Sequence, residues 1–263
     1  MSSRSVRIRD AVLGEGTPEI IVPLTGTTPQ SVLEQADLAL TGPARLVEWR
    51  ADLFAPDLPG DRHREELLFL LPLLRERIGP GRGLLLTVRT AAEGGGRTID
   101  DGTLEKTLLA GIDASADDGS PLVDAVDIET ARGRRAVDRV IEAAHGRSLA
   151  VVGSSHDFER TPAHVRITAH LREARERGAD APKIAVTPRR AEDVLTLLGA
   201  SLEVAREGHG PHIAISMGPL GAVSRVAAET FGSAATFASA GEASAPGQLA
   251  AEDVAGMLEA LRP

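Results

Sequence analysis

One lysine lies within an apolar, strand-like segment, where a charged amine is costly to bury. Lys183 stands in the sequence APKIAVTP, at positions 181–188. Desolvation penalises an ammonium ion unless the ion is paired or loses its proton. The neutral amine that results can attack a ketone and form a Schiff base. The alternative is a structural lysine whose ammonium group reaches solvent at the end of the strand.

A histidine follows the strand-like segment that precedes Lys183. His156 stands in GSSHDF, at positions 153–158. Histidine titrates near neutral pH, so it can take up a proton and return it within one reaction. The alternative is a loop histidine that only forms hydrogen bonds. We interpret the other six as structural or solvated: His63, His145, His164, His170, His209 and His212.

Acidic and basic residues recur near the ends of three further strand-like segments. They are Glu48, Arg50, Arg89, Glu93, Asp127 and Glu129. Glu48 and Arg50 are two residues apart and share one face of a strand, so inside a barrel they are expected to form a buried ion pair. A buried pair adds little net stability. Each pair alone is compatible with a structural layer, but together they predict a polar cup for a hydroxylated anion.

Two loops near the C-terminus hold further polar groups. In the first, glycines at 218 and 221 precede a predicted helix that contains Arg225. This loop is compatible with phosphate binding at a helix N-terminus, or with a carboxylate held by two hydrogen bonds from Arg225. The second loop, 243–248, contains Ser244 and Gln248. Its composition alone indicates only an ordinary polar loop.

Eight apolar segments have the length and composition of buried strands. They are 19–24, 46–52, 83–90, 125–129, 149–156, 182–187, 212–217 and 235–239. Segments with helical periodicity alternate with them, at 31–40, 64–78, 104–113, 134–144, 162–177, 191–206, 224–230 and 250–261. This alternation predicts parallel β-α-β units. Nearly continuous apolar runs are typical of strands that are buried on both faces.

The distribution of polar residues favours a (β/α)8 barrel over an open, doubly wound sheet. An open sheet concentrates its site at one crossover point, whereas a barrel distributes polar residues around the carboxyl ends of many strands. Two short segments, 6–9 and 11–13, predict an N-terminal hairpin that closes the bottom of the barrel. No linker divides the chain, so we expect a single domain over residues 1–263.

Composition narrows the classes of function. The net charge is −9 and basic residues form only short doublets, so nucleic acid is not an expected partner. The absence of cysteine excludes disulfides, thiolate nucleophiles and cysteine-ligated metals. No segment approaches the ~18 apolar residues of a membrane span, and the first ten residues lack the apolar core of a signal peptide. We therefore expect a cytoplasmic protein with no membrane partner.

Taken together, these motifs resemble the type I 3-dehydroquinate dehydratases of the shikimate pathway, which serve aromatic amino acid biosynthesis by way of chorismate. The resemblance spans nearly the whole chain, and the motifs occur in the family's order. The matching segments are 46–52, 87–95, 127–129, 155–158, 161–162, 182–186, 224–225, 231–233 and 244–248. The resemblance implies a (β/α)8 barrel that is usually a homodimer and that uses no metal and no cofactor.

The resemblance also implies a role for each polar residue. Lys183 would form a Schiff base with 3-dehydroquinate, His156 would be the general acid and base, and Glu93 would orient His156. The products would be 3-dehydroshikimate and water. The residues expected to bind the substrate carboxylate and its neighbouring oxygens are Arg225, Ser244 and Gln248, and those expected to bind the ring hydroxyls are Glu48, Arg50 and Arg89. The chain departs from the family pattern at Pro23, at Ser155 and in the loop 218–221.

Two other functions are compatible with the same barrel. A Schiff-base aldolase needs a phosphate site, which the loop 218–221 is able to supply, although carboxylates at Glu48 and Glu93 suit hydroxyls better than phosphate. A ligand-sensing homologue without catalysis is the other alternative, and the presence of both Lys183 and His156 counts against it. A biosynthetic role and a role in quinate breakdown are both compatible with the sequence.

Overall fold

The computed structural model describes residues 5–241 and 247–262. Its strands are β1 Val6–Ile8, β2 Ala11–Leu13, β3 Glu19–Leu24, β4 Leu46–Arg50, β5 Gly83–Thr87, β6 Ala125–Glu129, β7 Ala150–Asp157, β8 Ala181–Val186, β9 Ile213–Ser216 and β10 Ala235–Phe237. Its α-helices are α1 Pro29–Thr41, α2 Gly60–Ile78, α3 Asp101–Asp113, α4 Arg134–Gly146, α5 His164–Glu176, α6 Ala191–Arg206, α7 Val223–Val226 and α8 Ala251–Ala260. Short 3-10 helices span Ala91–Glu93 and Pro219–Gly221.

Eight parallel strands form one nearly closed barrel. Their order is β10-β3-β4-β5-β6-β7-β8-β9, so strands adjacent in sequence are adjacent in the sheet and β10 returns to β3. The seam between β9 and β10 is joined by the single parallel bridge from His212 to Ser233 within the described residues. Helices alternate with these strands along the chain. The prediction of a (β/α)8 barrel is therefore confirmed.

The N-terminal hairpin closes one end of the barrel, as predicted. Strands β1 and β2 pair in antiparallel fashion. Ile8, Ala11 and Leu13 are buried in one apolar cluster with Ile21 and Leu46, which lie near the beginning of their strands. The amino ends of the strands are thus filled by side chains. The carboxyl ends, where barrel enzymes build their sites, face the opposite way.

Strand β4 shows how the alternation of side chains separates the core from the cavity. Val47 and Trp49 are fully buried in the cluster between barrel and helices, and the Trp49 ring meets the Phe54 ring edge-on at 5.6 Å between centroids. Because successive side chains of a strand point to opposite faces, Glu48 and Arg50 point to the barrel interior, where both line a cavity. The prediction that Glu48 and Arg50 share the interior face of this strand is confirmed.

The helix predicted at 224–230 is much shorter in the structure. Helix α7 covers only Val223–Val226, and the chain then continues in turns. Gly232 adopts φ +81°, a conformation that suits glycine. The Ser233 N–H donates to the Ala228 carbonyl, and this turn brings Ser233 beside His212 at the barrel seam. None of the helices in the described ranges is both long and apolar enough to span a membrane.

Candidate active site

A cavity of about 550 Å³, including its open mouth, lies at the carboxyl ends of the strands. Its lining residues are Pro23, Glu48, Arg50, Arg89, Glu93, Gly94, His156, Phe158, Lys183, Ala185, Ile215, Met217, Arg225, Phe237 and Gln248. Every described residue that was predicted to act in catalysis or substrate binding is among them, whereas Asp127 and Glu129, which were also expected in the polar cup, are not. Ser244, which was also predicted, lies outside the described residues.

Lys183 lies deeper in the barrel than a residue at the rim. It is the third residue of β8 and is 4% exposed. Its Nζ atom is 3.6 Å from Oδ2 of Asp127 and 4.4 Å from the centre of the Phe237 ring. Burial lowers the pKa of the amine; the carboxylates of Asp127 and Glu48 oppose this shift. A larger fraction of the amine is thus neutral than at an exposed lysine.

His156 and Glu93 form a pair at the edge of the same cavity. The Nδ1 atom of His156 lies 2.9 Å from Oε2 of Glu93. Burial lowers the pKa of His156 well below its usual value, and the charges of Arg89 and Lys183 add to this effect. Burial also raises the pKa of Glu93 to about 8. Both shifts disfavour charge on the pair, and the contact with Glu93 occupies Nδ1. The other ring nitrogen, Nε2, is then the one available for proton transfer.

A tight turn after β5 places the Glu93 side chain at the cavity. The 3-10 helix Ala91–Glu93 ends at Gly94, whose φ is +77°. A Cβ atom at Gly94 would collide with the ring of Phe158. That ring in turn stacks on the His156 ring, with 6.5 Å between centroids and 23° between planes. Gly94 therefore provides both the backbone conformation and the space that let Phe158 cover the histidine.

Arg89 is the centre of a buried network of carboxylates and hydroxyls. Its Nη2 atom lies 2.8 Å from Oδ2 of Asp127, and its Nη1 atom donates to Ser154 Oγ at 2.8 Å. Glu129 lies 3.4 Å from Nη1 and accepts from the backbone N–H and the hydroxyl of Thr90, both at 2.7 Å. The charges of Asp127, Glu129 and Glu93 outweigh the effect of burial and raise the pKa of Arg89. Groups of the protein thus already bind both terminal nitrogens of this guanidinium.

The predicted ion pair between Glu48 and Arg50 is wrong. Arg50 instead binds Asp52 through two hydrogen bonds of 2.8 Å, and Glu48 accepts from the Thr87 hydroxyl at 2.8 Å. Strand β4 ends at Arg50, and the turn that follows brings the Asp52 carboxylate against the Arg50 guanidinium. Asp52 also accepts from the backbone N–H groups of Arg89 and Gly96. It therefore ties Arg50 to the turn that carries the Glu93 side chain.

Arg225 is a buried cation without an anionic partner among the described residues. Its Nη1 atom donates to the Phe237 carbonyl at 3.1 Å, whereas its Nε atom has no hydrogen-bond partner in the described part of the chain. Burial lowers the pKa of Arg225 to about 10, so it stays protonated at neutral pH. An anion at the mouth of the cavity would satisfy both the charge and the free donor.

The loop after β9 offers little to a phosphate. Its backbone N–H groups at Gly221 and Ala222 donate to the carbonyls of Gly218 and Pro219 within the 3-10 turn. The helix that follows has only four residues. A helix this short provides a weak dipole and few free N–H groups. The structure therefore favours a carboxylate held by Arg225 over the phosphate site that an aldolase needs.

Several residues around the cavity were not assigned roles from the sequence. They are Asp52, Ser154, Phe158, Met217 and Phe237. Asp52 extends the alternation that begins at Glu48 and Arg50, so the spacing of the three residues contained a usable signal. The two phenylalanines carry no such signal, because an isolated aromatic residue is more often part of a core. Pro23 also lines the cavity and presents no hydroxyl there.

Four of the other histidines are structural or lie at the surface, as predicted. His63 donates from Nε2 to the Ala51 carbonyl at 2.8 Å behind β4. His212 bonds to the Ser201 hydroxyl at 2.8 Å, and burial lowers its pKa to about 4. His145 and His164 are near the surface, where they pair with Asp180 and Glu203 respectively. None of these four lines the cavity at the carboxyl ends of the strands.

Comparison with known proteins places the chain in one family. The family model of type I 3-dehydroquinase matches residues 20–262. The 3-dehydroquinate dehydratase of Salmonella typhimurium is 40% identical over 259 residues, which cover 98% of each chain. The type I 3-dehydroquinate dehydratase of Clostridium difficile, solved with covalently modified comenic acid, superposes with a TM-score of 0.91 at 33% identity, covering 99% of this chain and 98% of that one. The 3-dehydroquinate dehydratase of Geobacillus kaustophilus gives 0.90 at 35% identity, covering 99% and 97%. The chain therefore belongs to the type I 3-dehydroquinase family.

Proposed function

We propose that this chain dehydrates 3-dehydroquinate to 3-dehydroshikimate and water through a Schiff base on Lys183, with His156 as general acid and base. Family membership supports the reaction. The observation that carries the mechanism is that a buried amine and a histidine–carboxylate pair line one cavity. The covalently modified comenic acid in the Clostridium difficile relative supports a site that reacts covalently.

The first half of the reaction forms the electron sink. The neutral amine of Lys183 attacks the carbon of the ring ketone, and the resulting carbinolamine loses water. The nitrogen becomes an iminium ion, which acidifies the adjacent C–H bond. His156 then removes that proton, and the electron pair of the C–H bond moves to the nitrogen as an enamine forms. Burial of Lys183 favours the neutral amine that begins this sequence.

The second half expels the hydroxyl group. The enamine returns its electron pair, the β C–O bond breaks, and His156 gives its proton to the departing oxygen, which leaves as water. Hydrolysis of the conjugated iminium then releases the product and restores the amine. General acid–base catalysis typically contributes ~10²–10⁴-fold. Glu93 orients the ring of His156 through Nδ1, so that Nε2 serves both proton transfers.

The remaining cavity residues divide into an anion site and a hydroxyl site. Arg225, with its free Nε donor, binds the substrate carboxylate, assisted by Gln248 and Ser244. Glu48 and Arg50 bind ring hydroxyls from strand β4. Arg89 contributes chiefly by ordering Asp127 and Ser154, because these two residues already occupy its guanidinium. We further propose that the active protein is a homodimer in the cytoplasm, as is usual for the family.

The composition makes the decisive experiment simple, because Lys106 and Lys183 are the two lysines of the sequence. Lys106 lies exposed on α3 and serves as an internal control. The protein is incubated with 3-dehydroquinate, reduced with sodium borohydride and mapped by peptide mass. The added mass is expected on Lys183, and Lys183→Met is expected to lose both adduct and turnover. Absence of the adduct, or an adduct on Lys106, would overturn the mechanism. Inhibition by sugar phosphates but not by 3-dehydroquinate would indicate an aldolase.

A further inference from the structure

The nitrogen of Lys183 lies between a carboxylate and an aromatic face. On one side, Oδ2 of Asp127 is 3.6 Å from Nζ, and on the other the Phe237 ring centre is 4.4 Å away. Asp127 is on β6 and Lys183 on β8, so their side chains meet in the barrel interior past the intervening strand β7. Both residues are almost fully buried, Asp127 being 2% exposed. Each of these two neighbours stabilises a positive charge on the nitrogen.

Asp127 is held rigidly and in its ionised form. Ser154 donates to Oδ1 at 2.6 Å, and Nη2 of Arg89 lies 2.8 Å from Oδ2. Although burial opposes ionisation, the charges of Arg89 and Lys183 lower the pKa of this carboxyl. Oδ2 is in contact with Nη2 of Arg89 but, as a carboxylate oxygen, retains a second lone pair. It is therefore free to accept a hydrogen bond from the nitrogen.

The reaction places opposite demands on the Lys183 nitrogen. Attack on the ketone requires a neutral amine, whereas removal of the adjacent proton requires a cationic iminium. A charge-assisted hydrogen bond to a carboxylate is typically ~2.7–2.9 Å long, so at 3.6 Å Asp127 does not lock the amine as an ammonium ion. Once the Schiff base forms, its remaining N–H can donate to the second lone pair of Oδ2.

We propose that Asp127 is a second catalytic carboxylate, which accepts the N–H of the protonated Schiff base on Lys183 and keeps that nitrogen cationic while the C–H proton is removed. This inference rests on the proposed Schiff-base mechanism. Phe237 complements Asp127 from the other side, and its backbone carbonyl is fixed by Arg225. No atom is transferred to or from Asp127, so the balance of the reaction is unchanged.

Other charged groups also act on this nitrogen, and the test must separate them from Asp127. Glu48 is the second anion that faces Lys183, and Arg89 and Arg50 are the cations. His156, on the neighbouring strand, is influenced by the charge of Lys183 in turn. Within the described residues, Asp127 provides the carboxylate that lies within 4.0 Å of Nζ. Removal of its charge alone, with shape retained, is therefore the informative change.

The test uses Asp127→Asn and traps the protonated Schiff base with sodium cyanoborohydride and 3-dehydroquinate across pH 6 to 9. An opposite charge at this range typically shifts a pKa by ~1–3 units. The pH midpoint above which trapping fails is expected to fall by about that amount in the variant, with turnover recovering toward low pH. A merely structural role would reduce trapping equally at every pH. An unchanged midpoint would overturn the proposal.

Glu129→Gln provides the matched control. Glu129 is a buried carboxylate on the same strand that also contacts Arg89, at 3.4 Å, but no contact with Nζ is formed by it within the described part of the chain. Its trapping midpoint is expected to match that of the wild type. Should Asp127→Asn fail to fold, Ser154→Ala retains the charge and loosens Asp127, and a smaller shift in the same direction is expected; no shift would contradict the proposal. Absence of any wild-type adduct would instead overturn the Schiff-base mechanism itself.

Discussion

The Nδ1 atom of His156 lies 2.9 Å from Oε2 of Glu93, and the two residues reach this position from different strands. His156 is on β7, whereas Glu93 is on the 3-10 turn that follows β5. Both side chains are mostly buried, and burial opposes a charge on each of them. A proton that His156 takes from a bound molecule is therefore readily returned, because burial disfavours the imidazolium ion.

Replacement of His156 separates binding from elimination. We expect His156→Ala to form the adduct on Lys183 but to lower turnover by ~10²–10⁴-fold, because the proton has no acceptor. His145→Ala is the control, since His145 pairs with Asp180 near the surface and does not line the cavity. Borohydride trapping and steady-state kinetics measure the two effects. Unchanged turnover in His156→Ala would contradict the assigned role.

The raised pKa of Glu93 has a consequence for stability. Its pKa rises from 4.5 to about 8 on folding, chiefly by burial. A carboxyl whose pKa is raised in the folded state contributes stability below its unfolded pKa, and this contribution is lost as pH rises through the folded pKa. Glu93→Gln cannot ionise, so we expect it to gain stability relative to the wild type between pH 4.5 and about 8. Urea unfolding at pH 5 and pH 9 measures the difference; a pH-independent difference would refute the shift.

Arg225 is expected to stabilise the complex while destabilising the free protein. Its charge is buried with no anionic partner among the described residues. We expect Arg225→Met to raise KM about tenfold to hundredfold, since a charge-assisted hydrogen bond contributes ~1.5–3 kcal/mol. The same change should leave the free energy of unfolding unchanged or increase it, because an unpaired charge no longer has to be buried. A clear loss of stability would show that Arg225 is paired in the free protein.

Asp52 is expected to affect substrate binding although it does not line the cavity. Asp52→Asn retains the size of the side chain but weakens the two hydrogen bonds that hold Arg50. Loss of a partner for a buried group costs ~1–3 kcal/mol, so we expect lower stability together with a higher KM. Arg50→Lys retains the charge without the two-point geometry. A double-mutant cycle of the two should show strong coupling, and additive effects would contradict this link.

Gly94 and Phe158 are expected to behave as one unit. Gly94→Ala places a Cβ atom against the Phe158 ring and requires a left-handed conformation, which costs ~1–2 kcal/mol for other residues. We expect the substitution to displace the ring from His156 and to lower turnover. In a Phe158→Ala background the steric part disappears, so Gly94→Ala should cost less there. Equal effects in both backgrounds would show that the ring does not set the constraint.

The barrel was predictable because burial repeats along the chain. Strands buried on both faces need apolar side chains at nearly every position, and the eight such segments in the sequence are the eight barrel strands. The ends of elements were less predictable. Helix α7 is shorter than its periodicity indicates, since the turn at Gly232 and the seam contact of Ser233 override local preference.

It was easier to predict which residues belong to the site than to predict which partners they bind. Alternation assigns Glu48 and Arg50 to one face but does not choose partners, and Asp52 becomes the partner of Arg50 only because the chain turns after β4. The balance of basic residues holds a further signal for the site. Of 29 basic residues, only Lys106 and Lys183 are lysines. Arginine is not deprotonated in proteins and cannot supply a neutral amine, so a lysine in an arginine-rich chain points directly to amine chemistry.

The seam between β9 and β10 divides the wall of the cavity into a stiff part and a compliant part. Strands β4 to β8 are joined by continuous ladders and carry Lys183 and His156. At the seam, described backbone pairing is reduced to the bridge between His212 and Ser233, beside the strand that carries Phe237. Segments with few backbone hydrogen bonds open most easily. Among the barrel strands, amide hydrogen exchange should therefore be fastest in β9 and β10, while the ladders of β4 to β8 hold Lys183 and His156 in register.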